Sequence, residues 1–105
     1  MQLKILGKKW KVRYVPLDHA LLNGDVEEGS WSATGTCRSN ECLITVASDV
    51  DRQMQADTLW HEVMHAIDET LGLGLTEQQV HALAAGQMAV LLDNPKLAGL
   101  LLGRK

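Results

Sequence analysis

Apolar and polar residues alternate with period two through the first part of the chain. Leu3 and Ile5, then Trp10, Val12 and Tyr14, sit between polar neighbours, the pattern of half-buried β-strands. Gly7, Lys8 and Lys9 read as the turn between the first two strands, and Pro16 ends the second. Residues 17–29 carry Asp, Asn and Gly and read as a loop with room for one short helical turn. Two more strands are expected at about 30–37 and 42–47, with Arg38, Ser39, Asn40 and Glu41 as the hairpin turn. That pairing sets Cys37 opposite Cys42.

Past residue 50 the period changes to that of a helix. Leu59, Val63, Ile67 and Leu71 recur at three- and four-residue spacing and predict a helix over about 51–71, capped by Ser48 or Asp49, with those four residues on the core face. Gly72 and Gly74 stop it. Thr76, with Gln79 three residues on, forms a capping box for a second helix, whose Val80, Leu83, Ala84, Met88 and Leu91 share one side. Asp93, Asn94 and Pro95 end that helix, and 96–105 is apolar enough for a short third one, which either closes the core or pairs two subunits. The expected fold is α+β: a small antiparallel sheet from the N-terminal half packed on two main helices.

Composition narrows the function without choosing it. The 105 residues are 46% hydrophobic and 22% charged, with a formal net charge of -3. That suits one domain spanning 1–105 with a modest core. Mild acidity argues against nucleic acid as partner. Lys8, Lys9, Lys11 and Arg13 around Trp10 read as the solvent side of a strand rather than a binding patch. No run reaches the ~20 apolar residues of a membrane helix, and the N-terminus shows no secretory pattern, so the expected location is the cytoplasm. Two cysteines are not a disulfide framework, and both are expected as reduced thiols.

The chemistry lies in the first helix, in the segment TLWHEVMHAID. His61 and His65 are four residues apart, so they share a helix face and can point both imidazoles at one ion. Neutral imidazole suits zinc, and Glu62 is placed to take a proton from a water that the ion activates. A catalytic site needs a third protein ligand. The metzincin position is Leu71, which excludes that class. Glu77 and His81, one turn apart at the start of the second helix, are the two candidates, and helix-pair geometry leaves them equal. Asp68 lies one turn beyond His65, either orienting a ligand histidine or, preferably, facing solvent. Glu69 would be strained as a ligand. Tyr14, His19 and His81 are the available groups for stabilising an oxyanion.

The stretch TLWHEVMHAID…LGLTEQQVHALAAGQMAVLLDNP, with the GTCRSNECLITVAS hairpin before it, resembles small phage-type metallopeptidases related to the ImmA/IrrE-like gluzincins. In that pattern E-x-x-A-x-x-x-A supplies the third ligand. The similar run here begins at Glu77, with Val80 in place of the first alanine, so the resemblance favours Glu77 over His81. It implies a zinc-dependent peptidase acting on a peptide or protein, with the peptide lying as an added strand along a sheet edge. The alternative is a non-catalytic, zinc-stabilised protein-binding module, whose site would be closed by four protein ligands.

Overall fold

The computed structural model describes residues 1–19, 22 and 34–104. Most of the expected 17–29 loop and the first residues of the expected third strand lie outside the described residues. Strands β1 (Gln2–Ile5) and β2 (Lys8–Val15) form an antiparallel hairpin in which Ile5 stands opposite Lys8. The turn is therefore Leu6 and Gly7, with φ of 49° and 86°, and not Gly7 to Lys9. A two-residue loop with both φ positive matches the right-handed twist of its strands.

Strands β3 (Gly35–Arg38) and β4 (Leu43–Ala47) also pair antiparallel. A 3-10 turn at Ser39–Glu41 and a left-handed Cys42 (φ 49°) join them. This register sets Cys37 opposite Ile44, so the expected cross-strand cysteine pair does not form, and both cysteines are free thiols.

The four strands lie in the order β1-β2-β4-β3. β4 inserts between β2 and β3 and runs parallel to β2, with Val12 level with Ile44. The α+β class stands, but the sheet is mixed where an antiparallel one is expected. The long connection after β2 permits this, because a parallel pairing needs a dozen or more residues to carry the chain back.

Helix α1 (Arg52–Leu71) crosses the sheet. Asp51 caps it, accepting the Met54 N–H at 2.8 Å. The expected cap Asp49 instead accepts the Leu17 N–H at 2.9 Å and ties the end of β2 to the helix entrance. Ile5, Trp10, Val12, Cys37, Ile44 and Val46 form the core with Val63 and Ala66 of α1, while Leu59, Trp60 and Ile67 flank it. Leu71 does not belong to that face and is 57% exposed. The helix is rotated so that Thr58, Glu62, His65 and Asp68 are buried as well. A smaller cluster of Val15, Leu22 and Ala47 lies beside the main core.

Helix α2 (Glu77–Asp93) starts at the expected capping box: Thr76 accepts the Gln79 N–H and Gln79 accepts the Thr76 N–H. It packs on α1 through Val80 and Ala84. Leu83, counted with these from spacing, is 44% exposed. A short α3 (Leu97–Leu101) follows with no buried residue, so the tail does not close the core. Among the described residues, no helix is long and apolar enough to cross a membrane.

Candidate metal centre

The site forms where the first turn of α2 meets the middle of α1. Asp68 determines that meeting. Its backbone carbonyl accepts the N–H of Gly72, which closes α1 with φ of 65°, and that of Leu73 at 3.1 Å. Its carboxylate, 8% exposed, accepts the Leu75 N–H at 3.1 Å. The connection 72–76 is thereby held against the end of α1, and the start of α2 is delivered back over the helix face that carries the histidines. Asp68 is neither solvent-facing, as expected, nor bonded to a histidine in any contact seen here: it braces the turn.

Glu77, the first residue of α2, reaches both histidines. Its Oε1 lies 2.7 Å from His61 Nε2, and its Oε2 lies 2.8 Å from His65 Nε2. The two Nε2 atoms are 3.2 Å apart. Two imidazole nitrogens and a carboxylate thus converge on one point, and His61, His65 and Glu77 are a group that could hold a metal ion. The His81 ring centroid is 5.9 Å from that of His61, and the residue is exposed on the wall beside the cluster. Counting residues outward from a regular turn would put His81, rather than Glu77, level with His65. The braced connection shifts Glu77 into that place.

Burial holds the His61 imidazole below the ordinary histidine value, and the neighbouring His65 and His81 add to this. The hydrogen bond and charge of Glu77 oppose it. The neutral form, which a metal requires, is the one burial favours.

Glu62 is completely buried. Its carboxylate packs against Gly35 at the start of the edge strand β3. A Cβ built on Gly35 would overlap Thr58 Cγ2 and stand 3.1 Å from Glu62 Oε2. Thr58 in turn shares a 2.8 Å hydrogen bond with Thr34. The same carboxylate contributes to the Cys37 thiol, which burial first and Glu62 second push up to about 12.

A groove of about 470 Å³ opens from the cluster. Thr34, Asp57, Thr58, His61, Glu77 and His81 line its polar end, and Ala84, Ala85, Met88, Ala89 and Leu92 of α2 line the rest. Sequence reasoning did not single out this wall. Its signal was the three- and four-residue spacing that continues from Glu77 and His81 to Leu92. Gly35 and Thr58 had no comparable signal. Tyr14 on β2 and His19, whose backbone joins the turn with Pro16 and Leu22, do not line the groove. Glu69 is exposed and outside the cluster.

Comparison with protein-family models, with curated proteins and with solved structures finds no match to this chain.

Proposed function

We propose that the chain is a zinc-dependent peptidase of the cytoplasm, hydrolysing a peptide bond in a peptide or protein held in the groove beside His61 and Glu77. The observation that carries this reading is the convergence of the two Nε2 atoms and both Glu77 oxygens at 2.7–3.2 Å. Two neutral imidazoles and one carboxylate are a catalytic zinc donor set. Among the described residues only three gather, and two of them, His61 and Glu77, line the groove, which supports a catalytic site over one closed by four protein ligands.

When bound, zinc would polarise the scissile carbonyl and lower the pKa of a water at the open position towards ~7. His61, His65 and Glu77 would hold the ion. Glu62, next to His61 on the helix, is the residue that would accept a proton from the attacking water; its carboxylate is completely buried and borders the groove from behind Thr58 rather than lining it. The same carboxylate would then give the proton to the amine as the C–N bond breaks. The groove fixes the substrate, and β3, at the sheet edge, offers its backbone to an extended peptide.

The test is Glu62→Gln, which keeps the shape of the side chain and removes its basicity. With parent and variant carrying equal zinc, turnover of a peptide library should fall ~10²–10⁴-fold while zinc content stays unchanged. His61→Ala and His65→Ala should each lose the metal, and Glu77→Ala should weaken it more than His81→Ala in competition with a chelator. A Glu62→Gln variant that cleaves as fast as its parent defeats the mechanism. A parent that holds zinc tightly, with no exchangeable water, and cleaves nothing is the protein-binding module instead.

A further inference from the structure

Helix α2 is polar at its ends and nowhere charged between them. From 78 to 92 it carries no Asp, Glu, Lys or Arg, although only Val80 and Ala84 are buried. A helix that is apolar on several faces belongs in an interior, not on a solvated surface. On the side away from the metal cluster, Leu83 and Val90 of α2, Leu97 and Leu101 of α3 and Trp60 of α1 line an apolar groove of about 700 Å³. Trp60 is fixed there by donating its indole N–H to Gln87 at 2.7 Å. Gly86 lies in the groove wall, and a Cβ on it would meet nothing within 4 Å, so the helix backbone is open to close approach. Leu100 and Leu102, the chain neighbours of Leu101, are 72% and 66% exposed.

We propose that this α2–α3 face joins two copies of the chain in a twofold dimer. The area fits. Leu83, Val90, Leu100, Leu101 and Leu102 are each 44–72% exposed, together on the order of 600 Å². With Ala82, Leu91 and Leu97 of the same wall, two such faces come to about the lower end of the ~1,200–2,000 Å² of stable protein pairs. The shape suits a copy of itself, because the hollow and the exposed side chains of Leu83, Val90 and Leu101 belong to one wall of one chain. An isologous twofold contact requires that self-complementarity. No charge has to be desolvated within α2 from 78 to 92. A lipid surface is a poorer occupant, since membrane-surface helices carry Lys or Arg along their polar face, whereas α2 has none and the basic residues Lys96, Arg104 and Lys105 lie, along the sequence, only at the ends of α3, set against Glu77 and Asp93 of α2.

The dimer does not depend on the metal reading. Sedimentation equilibrium of the full chain, from micromolar to about 100 μM, should show a dimer. Leu101→Glu and Val90→Glu are exposed positions, so folding should survive, as checked by circular dichroism. Each variant should weaken association at least ~100-fold by forcing an unpaired carboxylate into the contact. Lys9→Glu, on the opposite side of the sheet, should leave the dimer intact. A parent chain that is monomeric throughout, or variants that stay dimeric, overturns the proposal. So does a monomeric parent that co-sediments with phosphatidylcholine–phosphatidylglycerol vesicles, which gives the face to lipid.

Discussion

At Gly35 the backbone of β3 lies so close to α1 that no side chain fits between the strand and Thr58. The catalytic role proposed for Glu62 depends on this contact, because the same hydrogen-sized gap sets where the carboxylate rests. Gly35→Ala should therefore cost about 1–3 kcal/mol of stability by overpacking. If the proposed peptidase activity holds, it should also lower turnover with little change in zinc affinity, since none of His61, His65 and Glu77 is among the atoms nearest that Cβ. Denaturant melts, zinc titration and turnover on the one variant separate these effects. A variant as stable and as active as the parent shows that Thr58 and Glu62 move aside freely. That His61 and His65 come together could be read from sequence because their spacing follows from helix geometry alone. Gly35 could not, because the approach of a strand to a helix is a long-range contact that leaves only an unremarkable glycine in the chain.

The elements were legible where one segment carries its own signal. The capping box at Thr76, the stop at Gly72 and the Asn94 end of α2 all rest on residues within a turn of the boundary. Misreadings came where two elements compete for a group. Asp49 has cap chemistry but bonds to Leu17, leaving Asp51 to cap α1. Asp68 is the larger case, since its partner Leu75 lies beyond the helix end and its task concerns the connection between helices. Asp68→Ala should free that connection, let Glu77 wander, and weaken zinc binding by ~10–100-fold, the range for a residue that supports a ligand from behind. Asp68→Asn keeps an acceptor oxygen and should retain most of the affinity. Equal zinc affinity in the alanine variant, measured with a competing chelator, would mean that Glu77 is positioned without the brace.

At the scale of the whole molecule, the class of fold followed from two periodicities, two residues in the first half and near 3.6 in the second. Strand order did not follow, because nothing local marks β4 as the strand that slips between its predecessors. That insertion also constrains the route to the native state. β3 and β4 close over the short turn at Ser39–Glu41, whereas Val12 must find Ile44 across a much longer span of chain. Closing a loop of about ten residues takes ~10–100 ns, and the entropy cost climbs with length. The β3–β4 pair is therefore expected to form first and to dock on β2 as a unit. In stopped-flow experiments Cys37→Ala, within the early pair, should mainly slow refolding, while Val12→Ala, across the late seam, should mainly hasten unfolding. The reverse partition would make the parallel seam, and not the hairpin, the nucleus from which this chain grows.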